Sequence, residues 1–200
     1  FWLYRKSRLN YYGVTALMAR VYLCQENLTD ALACAQEVID SKRFEFMNDS
    51  INNVYAYRNL SYIEKMARHE YVSSLYVYDL KEGRSDLFFK NLASCECVIA
   101  EGRKASIYSG MGQDLDIRSK NWFETPAGSA TEYVNKYMRG TQIPLLKLSE
   151  MYLIAAEASG DIRYLETLRA NRGYATDPLP AGANLQDEIT KEYQKEFIAE

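Results

Sequence analysis

The chain has 200 residues, of which 48% are hydrophobic, and a formal net charge of −3 at pH 7. It is therefore long and apolar enough to bury the core of one domain. The acidic balance argues against nucleic acid as a partner, because such binding depends on a basic face that neutralises phosphates. No apolar run of about 18 residues occurs, so no transmembrane helix is predicted. The sequence begins at Phe1 without a signal peptide and ends within a predicted helix, which indicates a segment truncated at both ends.

The first predicted unit is a helical hairpin over about residues 8–44. The segment from Leu9 to Gln25 is apolar on almost all sides, as a buried helix is. Thr29 is predicted to cap a second helix, in which apolar residues recur at helical spacing. The two helices are predicted to form an antiparallel hairpin of tetratricopeptide type. Cys24 and Cys34 lie on the apolar faces of these helices and are predicted to be buried free thiols.

A loop-rich insertion is predicted from about residue 45 to residue 141. A short strand is predicted near Tyr71–Tyr78 and another in the stretch "CECVIA". The rest is rich in Gly, Ser, Asn and aromatic residues and has no clear periodicity. A stretch of this length without periodicity is usually functional or disordered, and the aromatic content argues against disorder.

A second hairpin and a last helix are predicted over about residues 142–200. Pro144 suits the first turn of a helix that continues to a turn at Ser159-Gly160. Asp161 can cap the helix that follows, and the last helix is predicted over Leu185 to Glu200. The predicted fold class is therefore mainly α, with tetratricopeptide-like helical hairpins, a loop-rich insertion and at most short strands.

The carboxylates of the second hairpin do not have the spacing of a catalytic pair. Glu150 and Glu157 are separated by roughly 10 Å along a helix that rises about 1.5 Å per residue. The carboxylates of glycosidases lie about 5–9.5 Å apart and flank a cleft. The stripe that they form with Lys147 is therefore predicted to be a solvated or arginine-bonded face, and no catalytic residue is predicted.

No metal site or cofactor site is predicted either. The four cysteines contain no CxxC pair, and the single histidine cannot complete a zinc finger. Asp114 and Asp116 alternate as calcium ligands do, but the stretch lacks the closing glutamate of an EF-hand loop. A turn with an ion pair between Asp116 and Arg118 is favoured instead.

The aromatic residues of the insertion favour a carbohydrate ligand. Sugar rings expose flat C–H faces that pack on aromatic rings, while neighbouring polar side chains bond the hydroxyl groups. The alternative is that Trp122 and Phe123 anchor the loop to the core. The carbohydrate interpretation predicts that Trp122→Ala weakens glycan binding without unfolding the chain. The residues predicted to bind ligand are Trp122, Asn121, Phe123, Arg118 and Tyr108.

Several stretches, in order along the whole chain, resemble the SusD/RagB family of outer-membrane nutrient-binding lipoproteins from Bacteroidetes. They are "RLNYYGVTALMARVYLCQENLTDALACAQEVIDSKRF" (8–44), "EYVSSLYVYD" (70–79), "DIRSKNWFE" (116–124), "YVNKYMRGTQIPLLKLSEMYLIAAEA" (133–158), "LRANRG" (168–173) and "DEITKEYQKEFIAE" (187–200).

The resemblance implies a helical, starch-binding-like protein that catalyses nothing. Its expected location is the cell surface, at the outer membrane. Its expected partners are a polysaccharide or oligosaccharide and a TonB-dependent transporter. The resemblance also implies that the lipid anchor and the early helices lie outside this sequence, since family members are much longer. The ligand residues of the family vary and have no motif that transfers by position.

Two other function classes are compared with glycan binding. One is a helical-repeat scaffold that contacts a transporter, without direct sugar binding in this segment. The other is an enzyme such as a glycosidase, which the carboxylate spacing disfavours. Protection of tryptophan fluorescence by sugars separates glycan binding from the scaffold, and hydrolysis of a reporter glycoside would support the enzyme.

Overall fold

The computed structural model describes residues 9–46, 68–77, 99, 102–108, 116–125, 132–134, 136, 142–174 and 179–198. Helices predominate in this part of the chain, which confirms the predicted mainly α fold class. The predicted strand "CECVIA" lies outside the described residues except for Ile99. The elements are α1 (Tyr11–Cys24), α2 (Leu28–Asp40), β1 (Tyr71–Tyr76), α3 (Arg103–Ile107), α4 (Ile117–Asn121), β2 (Phe123–Glu124), β3 (Tyr133–Val134), β4 (Gln142–Lys147), α5 (Leu148–Ser159), α6 (Ile162–Arg169), a π-helical turn (Ala170–Tyr174) and α7 (Leu185–Glu196).

Helices α1 and α2 form the predicted first hairpin. Asn10 caps α1, and its side chain accepts a hydrogen bond from the backbone N–H of Gly13 at 3.0 Å. Asn27 caps α2 by accepting from the N–H of Asp30 at 3.3 Å. The predicted cap Thr29 is therefore wrong: Asn27 satisfies the first free N–H groups, and Thr29 lies inside the helix.

Helix α1 is buried along one side only, which corrects the prediction of all-round burial. Small residues of α1, among them Ala16 and Ala19, pack against α2 and α5. The opposite side of α1 is apolar but exposed in the structure. Cys24 is exposed and Cys34 is half-buried, so these free thiols are less buried than predicted. The uniform apolar composition of α1 gave no information on which side the neighbouring helices would cover.

Strand β4 precedes α5 where the sequence predicted helix. Strands β1 and β4 pair antiparallel, with Ser74 opposite Pro144 and Leu75 opposite Ile143. The prediction that Pro144 lies in the first turn of a helix is wrong, because the pairing with β1 holds residues 142–147 extended. Proline has no N–H to donate, and the irregular register of this pair tolerates it. Helix α5 begins at Leu148.

Helices α5 and α6 form the second hairpin, at the predicted turn. Gly160 ends α5 in the left-handed region, with φ 67°, and Asp161 caps α6 by accepting from the N–H of Arg163. Helix α1 packs on α2, α2 on α5, and α5 on both α6 and α7. Helix α5 lies between two hydrophobic clusters, with Ile154 in one and Leu153 in the other. Its sequence is apolar on opposite sides for this reason.

Replacing Gly160 by alanine is expected to lower the free energy of unfolding by about 1 kcal/mol, because a Cβ atom strains the left-handed conformation. No neighbouring atom lies within 4 Å of the added Cβ, so the cost comes from the backbone alone. Urea denaturation measures it, and Gly160→Asn should cost less because asparagine tolerates this conformation better. Equal stability of Gly160→Ala and the parent chain would contradict the expectation.

Candidate ligand-binding site

The residues predicted to bind ligand come together, but all except Asn121 are buried. Tyr108, Trp122 and Phe123 form a hydrophobic cluster with neighbouring aliphatic side chains. The side chain of Trp122 is only 2% exposed. The rings of Tyr108 and Phe123 pack edge to face, with centroids 5.6 Å apart. The Nζ atom of Lys136 lies 4.2 Å from the centroid of the Trp122 ring.

This burial supports the alternative interpretation, in which Trp122 and Phe123 anchor the chain to the core. Stacking on a sugar needs an accessible ring face. The rings of Tyr108 and Trp122 contact protein in the structure instead. A direct ligand contact by these residues remains a prediction from the sequence.

Arg118 lies in a buried network of charges. It pairs with Asp116 through two contacts, Nε to Oδ1 at 3.0 Å and Nη2 to Oδ2 at 2.8 Å. Its Nη1 atom lies 2.6 Å from Glu192 Oε1, outside hydrogen-bond geometry, and donates to Glu196 Oε1 at 2.8 Å. The predicted ion pair between Asp116 and Arg118 is confirmed. Asp116 also caps α4, so the pair fixes the start of that helix.

A second buried arginine extends this network across the fold. Arg172, in the π-helical turn, donates two hydrogen bonds of 2.7 Å to Glu70, just before β1. Its Nε atom donates to Glu196 Oε1 on α7 at 2.5 Å. Lys136 and Lys147 donate to the backbone carbonyl of Glu196. These contacts pair the arginine charges with carboxylates inside the protein, so the network joins structural elements.

The charges of the network control the protonation of its carboxyl groups. Burial by itself would raise the pKa of Asp116, but the charge and hydrogen bonds of Arg118 outweigh burial and lower it. Burial likewise opposes ionisation of Glu196, and the charges of Arg172 and Arg118 bring its pKa well below the usual range. Both carboxyl groups are therefore ionised in the folded protein at neutral pH.

Acid is expected to destabilise the fold below about pH 4, the usual pKa range of carboxyl groups in an unfolded chain. Because the folded pKa values of Asp116 and Glu196 are lowered, their contribution is complete above that pH. This contribution to stability is lost as the pH falls through the pKa values that the two carboxyl groups have in the folded protein. Melting temperatures measured from pH 2 to 7 should show this decline, and it should be shallower in Asp116→Asn. If the melting temperature of Asp116→Asn fell as steeply at low pH as that of the parent chain, Asp116 would not be a source of the acid sensitivity.

The stripe predicted for Lys147, Glu150 and Glu157 is only partly present, because Lys147 is buried and lies on β4 instead of the helix. Glu150 is buried and receives two hydrogen bonds from Arg20, at 2.5 and 2.7 Å. Glu157 accepts a hydrogen bond from Gln186 at 3.3 Å. The arginine-bonded interpretation is therefore confirmed for Glu150. Among the described residues, no group of His, Cys, Asp and Glu side chains is arranged to hold a metal ion.

A cavity beside α2, α5 and α6 combines aromatic and polar side chains at the surface. It has a volume of about 330 Å³ and is lined by Ile39, Tyr152, Asp161, Arg163, Tyr164 and Thr167. The rings of Tyr152 and Tyr164 lie edge to face, with centroids 6.2 Å apart. Gln36 donates to the Tyr164 hydroxyl at 2.7 Å, and Arg163 pairs with Asp161 at 2.6 Å. The arrangement places apolar ring surface next to exposed hydrogen-bonding groups.

Sequence reasoning missed this cavity because its residues are distant along the chain. Ile39 lies on the first hairpin, and the other lining residues lie on the second. The available signal was the pair of tyrosines Tyr152 and Tyr164, one on α5 and one on α6. These tyrosines indicate a cavity only once the packing of α2 against α5 is known.

Solved structures match the architecture over almost the whole chain. A SusD superfamily protein from Bacteroides thetaiotaomicron matches 98% of this chain with a TM-score of 0.71 and 20% identity. The chain has a SusD-like fold. A SusD superfamily protein from Bacteroides vulgatus matches 96% of it, with a TM-score of 0.70 and 24% identity. A SusD-like carbohydrate binding protein from Bacteroides vulgatus also matches 96%, with a TM-score of 0.69 and 18% identity.

This SusD-like chain spans about half the length of the structures that it matches, namely 48%, 48% and 44% of those three chains. No protein-family model and no curated protein matches the sequence. In the described part of the chain, every helix is too short or too polar to cross a bilayer.

Proposed function

We propose that this chain belongs to a non-catalytic nutrient-binding protein that captures glycans at the cell surface. In this proposal the protein lies at the outer membrane, held by a lipid anchor outside these residues, and passes its ligand to a TonB-dependent transporter. The SusD-like fold is the observation that carries the proposal. A matched structure described as a carbohydrate binding protein supports a saccharide as the ligand.

The cavity beside α2, α5 and α6 is the proposed place of contact with a saccharide. The rings of Tyr152 and Tyr164 present apolar surface for the C–H groups of a sugar. Arg163, Asp161 and Thr167 present donors and acceptors for its hydroxyl groups. Ligand pockets have volumes of about 300–1,000 Å³, so this cavity suits a small part of a glycan.

Retardation in native gels that contain polysaccharides tests both parts of the proposal. The protein would be compared with the double variant Arg163→Ala/Thr167→Ala, whose two side chains are exposed and should not be needed for folding. Arg43→Ala provides a control that removes an exposed arginine outside the cavity. One polysaccharide is expected to retard the protein and the control, and to retard the double variant much less.

The other outcomes separate the function from the site. Equal retardation of the double variant would support glycan binding and reject the cavity as the contact. If no polysaccharide retards the protein, glycan binding by this segment is rejected, and a scaffold that contacts a transporter becomes the better explanation.

A further inference from the structure

The charged side chains in the described lining of the cavity neutralise each other. They are Asp161 and Arg163. The Nε atom of Arg163 donates to both carboxylate oxygens, at 3.0 and 2.9 Å, and its Nη2 atom donates to Oδ2 at 2.6 Å. The hydrogen bonds from Arg163 lower the pKa of Asp161, so the carboxyl group is ionised at neutral pH. The guanidinium therefore faces the cavity with its charge already compensated.

Asp161 also covers the positive end of helix α6. Its Oδ1 atom accepts a hydrogen bond from the backbone N–H of Arg163 at 3.0 Å, as the N-cap of that helix. The dipole and the free N–H groups at the N-terminus of a helix attract anions. The carboxylate therefore opposes both features that would draw an anionic group into this cavity, the helix end and the guanidinium.

The rest of the lining suits an uncharged sugar. The faces of the Tyr152 and Tyr164 rings carry partial negative charge, which attracts C–H groups and repels anions. Burial, and after it the nearby charge of Asp40, raises the pKa of Tyr152, so a further carboxylate lies close to the cavity. The Thr167 hydroxyl donates to the carbonyl of Arg163 at 2.7 Å, and its oxygen can accept from a sugar hydroxyl. A carboxylate or a sulfate ester has no proton to donate there.

We propose that the cavity takes uncharged saccharide units, and that Asp161 is the residue that makes it reject anionic ones such as uronates and sulfate esters. A sugar hydroxyl can bond the pair without separating it, because its oxygen accepts from Arg163 while its proton goes to Asp161. An anion must instead displace the carboxylate from Arg163 and leave it unpaired beside a second negative charge. This inference rests on the proposed glycan binding and specifies its substrate class.

Asp161→Asn tests the proposal, because asparagine caps a helix as well as aspartate does but leaves the charge of Arg163 uncompensated. Native-gel retardation would be measured on amylopectin, pullulan and galactomannan, each beside a form whose primary hydroxyl groups are oxidised to carboxylates. The neutral form is expected to retard the protein more strongly than the oxidised form. In Asp161→Asn this preference should fall about fivefold at low ionic strength, the effect of one unit charge at about 4 Å in water.

Two further variants identify the charge that is responsible. Asp187→Asn is the matched control, because it removes an exposed carboxylate from the first turn of α7, outside the cavity, and should keep the preference of the protein. Asp161→Asn/Arg163→Gln removes both charges of the pair, so the preference for the neutral form should return. The change in Asp161→Asn should also disappear in about 1 M salt, which screens charges beyond about 3 Å.

The outcomes separate this inference from the proposed function. Equal retardation of the unmodified protein by the neutral and oxidised forms would overturn the exclusion of anions and leave glycan binding in place; this comparison needs no variant. An unchanged preference in folded Asp161→Asn, confirmed by circular dichroism, would overturn the role of Asp161. If neither form of any polysaccharide retards the protein, glycan binding and the inference that rests on it are both rejected.

Discussion

Replacing Arg172 by methionine is expected to lower the free energy of unfolding by about 3–5 kcal/mol, because it leaves buried carboxylates without their partner. Arg172 is fully buried and bonds both Glu70 and Glu196. The methionine side chain fills much of the same space but cannot compensate either charge. Urea denaturation followed by circular dichroism measures the loss.

An exposed ion pair provides the control for this prediction. Arg163 pairs with Asp161 at 2.6 Å, but its side chain is 84% exposed. Exposed pairs contribute little because water screens them, so Arg163→Met should unfold at nearly the same urea concentration as the parent chain. If Arg172→Met were as stable as Arg163→Met, the buried network would not hold the fold together.

Replacing Trp122 by alanine is expected to lower the free energy of unfolding by about 3–5 kcal/mol, the range for large-to-small substitutions of buried aromatic residues. The indole ring is almost completely buried and packs in the cluster that joins α4 to β2 and β3. The sequence alone predicted weaker glycan binding without unfolding, and the burial changes that expectation. Thermal and urea melts would be measured first, followed by binding below the melting temperature.

Trp122→Phe separates packing from ligand contact in the same experiment. It keeps an aromatic ring in the cluster and should recover much of the stability. A ligand contact by the indole would remain weakened in this variant even where it is folded. Retention of full stability by Trp122→Ala would contradict the structural role assigned to the ring.

The elements that depend on local signals were predicted well. The turn at Gly160, the cap at Asp161 and the start of α7 at Leu185 follow from residues next to one another in the chain. The strand predicted at Tyr71–Tyr78 is present as β1, Tyr71–Tyr76. Capping and glycine preferences act over a few residues, so a single sequence contains enough information to locate these features.

The features that depend on distant partners were not predictable in the same way. Residues 142–147 are extended because they pair with β1, and no local signal at Pro144 indicates that pairing. Trp122 lies in a polar stretch of sequence, yet its partners Tyr108 and Val134 come from other elements. The cavity residues Ile39 and Tyr164 meet only after α2 packs near α6. Each of these outcomes depends on tertiary contacts, which override local preference.

The order of the helices along the chain also affects how the protein folds. The two hairpins meet through contacts between residues far apart in sequence, such as Arg20 with Glu150, 130 residues away. Arrays of consecutive repeats can nucleate locally and propagate from neighbour to neighbour. Here a long chain segment must close before α2 and α5 can stabilise each other, and that closure costs entropy without an immediate gain. Folding should therefore be slow for a helical protein, and the two hairpins should be lost together in one cooperative transition.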